Sequence, residues 1–178
     1  MESLKPLAEI NEPDLRNTYF VVTDSSARAS KLTLEHIHSI VEEIRLLPSV
    51  PEAIQSHFAQ AQNLAVYSWF HYPFNVTSQF MGFVPVEYAL KLRLNSKASF
   101  KALIQSAVKS GLIKDNGFAI VAHREPSPNS YVETLIEVMP SLRNRLAHGS
   151  NMLHNSSLSS LRICADFINQ IFTVQADG

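Results

Sequence analysis

The sequence has few cysteines and glycines, and these shortages exclude several kinds of site. Cys164 is the only cysteine among 178 residues, so the chain can form no internal disulfide and no zinc site built from several cysteines. Its five glycines form no glycine-rich phosphate loop, and the His-Glu-x-x-His pattern of zinc hydrolases is missing. We therefore expect no metal and no cofactor.

Residues 53–86 lack Asp, Glu, Lys and Arg altogether, which raises the question of a membrane span. Polar residues nevertheless interrupt this stretch too often for 18 apolar residues in a row. Nine aromatic residues lie between Phe58 and Tyr88, so we interpret the region as two buried helices. Residues 1–8 carry no apolar signal core, and we expect a cytoplasmic protein without a membrane segment.

The net charge of −1 gives no overall attraction to nucleic acid, but the charges are unevenly distributed. Residues 88–114 contain six lysines and arginines and no acidic residue, and residues 138–165 contain three arginines and no acidic residue. A solvated cationic face accounts for such runs. The alternative is a local basic surface beside the candidate motif described below.

Apolar residues recur at helical spacing through most of the chain, which predicts an all-α bundle of five to six helices with short loops. Residues 1–30 are interpreted as a loosely structured lead-in and residues 31–178 as the helical domain. Thr33 is expected to cap the first helix, Ser49 to Glu52 to form a capping box, and Pro85 to kink or divide the third helix. A turn is predicted at residues 115–117, and a bend at Pro140. The predicted helices cover about residues 33–47, 51–72, 76–94, 99–110, 131–149 and 157–172.

One stretch, from Arg143 to Gly149, suggests chemistry rather than packing. Arginine is a fixed cation whose planar fork suits phosphate, and histidine exchanges protons near neutral pH. On a helix, Asn144 and His148 lie four residues apart on one face, with Arg143 beside them. Gly149 is expected to end the helix, which places His148 at its negative end. The face directed into the core is formed by Leu135, Met139, Leu142 and Leu146.

Glu87 is acidic in a helix that otherwise lacks acids, and two interpretations stay open. It either pairs with Arg143 or a neighbouring cation, or it is a surface residue beside Lys91 at i+4. His154 follows the motif and is a further candidate for the site.

At Arg143, Asn144 and His148 the chain resembles the HEPN superfamily (higher eukaryotes and prokaryotes nucleotide-binding), whose members are α-helical bundles. The signature of that group is an arginine, commonly a polar residue next, and a histidine after four to six intervening residues. Further segments look like bacterial members, so the resemblance spans about residues 50–173. These segments are residues 67–72, 87–90, 110–113 and 164–169.

The resemblance implies metal-independent RNA cleavage in a cleft shared by two copies of the chain. By this analogy, His148 handles the proton of the ribose 2′-hydroxyl, Arg143 holds the scissile phosphate, and Asn144 orients one or both. Arg145 and His154 are secondary candidates for substrate contacts. The implied partners are a second copy, RNA, and a protein regulator or antitoxin such as accompanies toxin and defence proteins.

The chain departs from some toxin members at one position. Those members carry a tyrosine two residues after the histidine, where this chain has Ser150, so modification by a partner nucleotidyltransferase is not expected. The alternative function is a non-catalytic helical module that binds RNA, nucleotide or a protein through the same surface. The nuclease hypothesis requires an exposed His148 and an Arg143 that is not neutralised inside its own protomer.

Overall fold

The computed structural model describes residues 2–23, 26–121, 130–149 and 153–173. Within them no helix combines the length and the apolar character needed to cross a membrane. The predicted all-α bundle is confirmed, because helices dominate and the described strands form only one short antiparallel ribbon, β1 (Val21–Thr23) with β2 (Ala29–Lys31). The helices are α1 (Leu34–Glu43), α2 (Glu52–Tyr67), α3 (Phe74–Leu94), α4 (Phe100–Lys109), α5 (Tyr131–Ala147) and α6 (Ser157–Phe172).

Helix α3 lies at the centre of the bundle and contacts α2, α4, α5 and α6. The uncharged stretch at residues 53–86 supplies most of α2 and the first half of α3, which bury residues such as Ile54, Phe58 and Phe83. A Cβ at Gly82 would stand 3.1 Å from the Leu161 side chain, so a larger residue there would press against α6. The absence of charge in this stretch therefore reflects burial inside the bundle.

The start of α1 agrees with the sequence, but its end does not. The hydroxyl of Thr33 accepts a hydrogen bond from the His36 backbone, and His36 Nδ1 accepts one from the Thr33 backbone, so the histidine completes the capping box. The helix ends at Glu43 rather than near residue 47. The Gln62 side chain donates hydrogen bonds to the carbonyls of Val41 and Ile44. These carbonyls at the end of the helix therefore have a partner, although the helix does not continue.

The predicted capping box at the start of α2 is wrong. Pro51 is the N-cap residue, and it provides no side-chain hydrogen bond to the first turn. The Ser49 hydroxyl instead donates to the carbonyl of Phe172 at the end of α6, 2.9 Å away. A tertiary contact has replaced the local one.

Pro85 does not divide α3, which runs through it for 21 residues, and Pro140 likewise lies inside α5. A proline inside a helix costs about 3 kcal/mol through its missing N–H and its ring. Both prolines are buried, and the packing of their helices against neighbours offsets this cost.

The N-terminal end of α5 is capped from a distant part of the chain. The predicted turn at Asp115–Gly117 is present as one turn of 3-10 helix. The Asp115 carboxylate accepts hydrogen bonds from the backbone of Tyr131 and Val132, both at 2.9 Å, and from the Ser130 hydroxyl. Burial by itself raises the pKa of Asp115, but these three hydrogen bonds outweigh it and lower the pKa.

The N-terminal segment is tied to the turn between α2 and α3. The buried Asn17 side chain donates to the carbonyls of Ser68 and Trp69 at 2.7 and 3.0 Å. Asp14 accepts from the Tyr72 backbone, and its own backbone donates to the Trp69 carbonyl. These contacts anchor residues 14–17 of the predicted lead-in to the turn between α2 and α3.

Candidate functional site

Helix α5 directs its apolar stripe inward and the motif outward. Leu135 and Met139 are buried, and Leu142 and Leu146 are partly buried against the same core. On the other side, Asn144, Ala147 and His148 are exposed. The helical spacing of the apolar residues therefore orients the motif as the sequence indicates.

His148 is the residue that ends α5. Its backbone N–H still donates to the Asn144 carbonyl at 3.0 Å, while its own φ and ψ have left the helical region. Gly149 follows with φ of +85°, a left-handed conformation that glycine adopts without strain. The imidazole is thus presented to solvent at the C-terminal end of the helix.

Arg143 is held by a carboxylate of the neighbouring helix. Its Nη2 lies 3.1 Å from Glu87 Oε2 on α3, and its Nη1 donates to the Asn144 side-chain oxygen at 3.2 Å. Glu87 also pairs with Lys91, at 2.7 Å through its other oxygen. Glu87 therefore pairs with Arg143 across the helix interface as well as with Lys91 at i+4, and the interpretation of it as a surface residue is wrong, because its side chain is only 16% exposed.

This pairing bears directly on the requirement that Arg143 keep its charge available. Glu87 provides one negative charge for two cations, so the group formed with Lys91 and Arg143 keeps a net charge of +1. The Glu87 side chain is only 16% exposed, whereas that of Arg143 is 37% exposed. The carboxylate thus fixes the guanidinium from the protein side and compensates only part of the local positive charge, and an anion can approach from the solvent side.

Arg145 lies close enough to His154 to interact with it electrostatically. The chain that connects the two includes a part outside the described ranges, residues 150–152. Ser150, which the comparison with toxin members singled out, lies in that part. Burial lowers the pKa of His154, and the positive charge of Arg145 lowers it further. His154 Nδ1 is 2.8 Å from the Ser156 hydroxyl, so the ring is fixed beside the start of α6.

A groove runs between α4 and α5 beside Arg143, with a volume of about 470 Å³. Across it, Lys101 of α4 pairs with Glu137 of α5 at 2.7 Å. The sequence did not single out Lys101 or Glu137 for the site, because only the packing of α4 against α5 brings together two residues 36 positions apart. The groove is lined by Glu87, Ser99, Phe100, Lys101, Glu137, Pro140, Ser141, Arg143 and Asn144.

The described residues include no group of three or more His, Cys, Asp or Glu side chains placed to hold a metal ion. Cys164 is buried, and burial raises the pKa of its thiol, so it makes a poor nucleophile. The chemistry within reach of the groove is that of a guanidinium, an amide, an ammonium and, at the end of α5, an imidazole. No family model matches this chain, and neither a curated protein nor a solved structure is significantly similar to it.

Proposed function

We propose that the chain is a metal-independent endoribonuclease whose active site is completed when two copies bring the C-terminal ends of α5 together. The observation that carries the proposal is the exposed display of Asn144 and His148 beside an arginine fixed by Glu87. The resemblance to HEPN proteins supports it from the side of the sequence. With it we propose a cytoplasmic location and control by a protein regulator or antitoxin.

The reaction follows from the properties of these groups. His148 accepts the proton of a ribose 2′-hydroxyl, and the 2′-oxygen attacks the adjacent phosphorus. The bond from phosphorus to the 5′-oxygen breaks, the departing oxygen takes up a proton, and a 2′,3′-cyclic phosphate is left. Arg143 binds the phosphate oxygens as their charge grows, and Asn144 orients the guanidinium or the phosphate. In enzymes of known mechanism, proton transfer by a positioned side chain contributes roughly 10²- to 10⁴-fold, and one charge-stabilising donor roughly 10²- to 10³-fold.

A second copy supplies what one exposed helix end lacks. An imidazole open to bulk water cannot exclude competing solvent, and electrostatic stabilisation is weak there. Two α5 ends facing each other enclose the phosphate and provide two imidazoles, one as the base and one as the acid. A homodimer is therefore part of the proposal.

The test is an RNA cleavage assay with purified protein and an end-labelled synthetic RNA, analysed for 2′,3′-cyclic phosphate ends. We expect His148→Ala to slow cleavage about 100-fold or more. His38→Ala is the matched control, because His38 is exposed on α1 and belongs to no part of the site. Equal cleavage by wild type and His148→Ala, or cleavage by neither, overturns the enzymatic proposal.

A second candidate function is favoured by the Arg143–Glu87 pair. An arginine already bound inside its own protomer suits a fixed surface that binds RNA, nucleotide or a protein without turning it over. This function predicts RNA binding that is weakened by Arg143→Ala and by added salt, with no cleavage products. Binding that responds to neither change contradicts it.

A further inference from the structure

We infer that the groove between α4 and α5 binds further phosphates of the RNA strand whose scissile phosphate is held at Arg143. In the absence of RNA, Glu137 forms an ion pair with Lys101, and a phosphate of the strand replaces Glu137 in that pair. This inference rests on the proposed binding of RNA at the end of α5. It adds the path of the strand along the protein and a residue that competes with it.

A polar stripe on α5 connects the groove to the motif. Glu137, Ser141, Asn144 and His148 recur at intervals of three or four residues, so they share one face of the helix, and all four are exposed. The stripe covers 11 residue steps, or about 16 Å at 1.5 Å per residue. In one strand of a DNA double helix, successive phosphates are about 3.4 Å apart along the axis, and even a strand stretched to twice that spacing would place more than one phosphate on a stripe of this length.

The groove offers the groups that bind such phosphates. Lys101 approaches the stripe from α4, and the hydroxyls of Ser99 and Ser141 line the groove on its two sides. Ammonium and hydroxyl groups are common phosphate contacts, and they fix the position of a strand without reading its sequence. An open groove of this kind suits an extended polyanion better than an apolar small molecule, which needs an enclosed pocket.

The two carboxylates of the groove differ in how easily an anion replaces them. Glu137 is 66% exposed and, among the described residues, pairs with Lys101 alone, which is itself 46% exposed. Exposed ion pairs of this kind contribute little to stability, so a phosphate can replace Glu137 as the partner of Lys101 with little loss of free energy. Glu87 is largely buried and held by two cations, so it stays in place.

The experiment measures binding of a fluorescein-labelled single-stranded RNA of about 12 nucleotides, an arbitrary length longer than the stripe. All its riboses carry 2′-O-methyl groups, so it cannot be cleaved. Fluorescence anisotropy gives Kd at several salt concentrations. We expect Lys101→Met to raise Kd about threefold to tenfold and to reduce the salt dependence by about 0.7 in the slope of log Kd against log salt. Glu137→Gln should lower Kd by a similar factor, because it frees Lys101.

Matched controls come from the same two helices. Lys109→Met removes a lysine from the last turn of α4, and Glu133→Gln removes a carboxylate from the first turn of α5. Both residues are exposed and lie outside the groove. Circular dichroism spectra equal to that of the wild type show that the variants keep their helices.

The outcomes separate this inference from the proposed function. If Arg143→Ala weakens RNA binding while Lys101→Met and Glu137→Gln behave like their controls, the groove does not bind the strand and the proposed function still stands. If Glu137→Gln weakens binding, Glu137 contacts the ligand and does not compete with it, and the inference is wrong. If the wild type binds no RNA, both fail.

Discussion

Two arginines of this protein are each held by carboxylates, but the charge balance around them is opposite. Arg16, in the N-terminal segment, pairs with both Asp14 and Glu2 at 2.7 and 2.5 Å. Arg143, on α5, shares the single carboxylate of Glu87 with a second cation. The first cluster therefore carries an excess negative charge and the second an excess positive charge. Only the second can attract a phosphate.

The surroundings of the two guanidinium groups differ in the same sense. The Arg16 guanidinium lies over the ring of Tyr72 at 5.0 Å, and the carboxylate of Asp14 next to it accepts a backbone hydrogen bond from Tyr72. This arginine ties the N-terminal segment to the turn between α2 and α3. Arg143 is fixed by Glu87, and both residues line the open groove between α4 and α5. These contacts indicate a structural role for the first cluster, and the charge balance of the second is what the proposed function requires of a phosphate-binding group.

The largest expected difference is in RNA cleavage. Arg143→Ala should reduce the rate about 100-fold to 1,000-fold, the loss seen when one charge-stabilising donor is removed from an active site. Arg16→Ala should leave the cleavage rate unchanged at a temperature where it is folded. Initial rates with the end-labelled RNA measure both. A similar loss in the two variants would mean that the contrast in charge balance does not separate function from structure.

Asp14 tests the structural side of the comparison. Asp14→Ala should lower the free energy of unfolding by about 2 kcal/mol, since it removes charge-assisted hydrogen bonds to Arg16 and leaves the Tyr72 N–H without its acceptor. Urea denaturation followed by circular dichroism gives the value. Glu9→Ala, which removes an exposed carboxylate from the same segment, is the control and should change stability little.

The same residue predicts a dependence on pH. The Arg16 guanidinium beside Asp14 holds the pKa of that carboxyl well below its usual range. A depressed pKa in the folded state stabilises the protein above the unfolded pKa of about 3.9, and this contribution is lost as the pH falls from about 5 through the folded pKa. The wild type should therefore lose more stability than Asp14→Ala on going from pH 7 to pH 3. Equal losses would show that Asp14 is not the group responsible.

Glu87→Gln tests the binding side, because it removes the charge that fixes Arg143 but keeps the shape of the side chain. We expect kcat to fall about tenfold through looser positioning of the guanidinium, while KM stays equal or falls because the local charge becomes more positive. Glu43→Gln is the control, since Glu43 pairs with Arg162 at an exposed site on other helices. A higher KM with unchanged kcat would indicate that Glu87 serves binding and not the positioning of Arg143.

These clusters also show what the sequence could predict. The helical periodicity of α5 is a local property, and it correctly indicates which side of the helix carries Asn144 and His148. Contacts between distant residues are a different matter, as Ser49 illustrates, because its hydroxyl bonds a carbonyl 123 positions away and not the start of its own helix. The pairing of Glu87 with Arg143 was one of two open interpretations, and that of Lys101 with Glu137 had no signal in the sequence. Helical periodicity in the sequence predicts which residues share a face of a helix. The charge balance of a site, in contrast, depends on which helices pack together and so bring distant residues into contact.

Asp115 extends the comparison to a carboxylate whose hydrogen-bond partners within the described residues are all neutral, and the expected effect is the smallest. Asp115→Ala should cost about 1 kcal/mol of unfolding free energy, as for the loss of a helix cap, because the first N–H groups of α5 lose their acceptor. Hydrogen exchange should speed up at Tyr131 and Val132, while cleavage stays close to the wild-type rate, since the motif lies four turns away at the other end of the helix (about 3.6 residues per turn). Asn116→Ala, at the exposed neighbour, is the control. If Asp115→Ala abolished cleavage without unfolding the protein, the two ends of α5 would be coupled. Asp115 would then contribute to function as well as to structure.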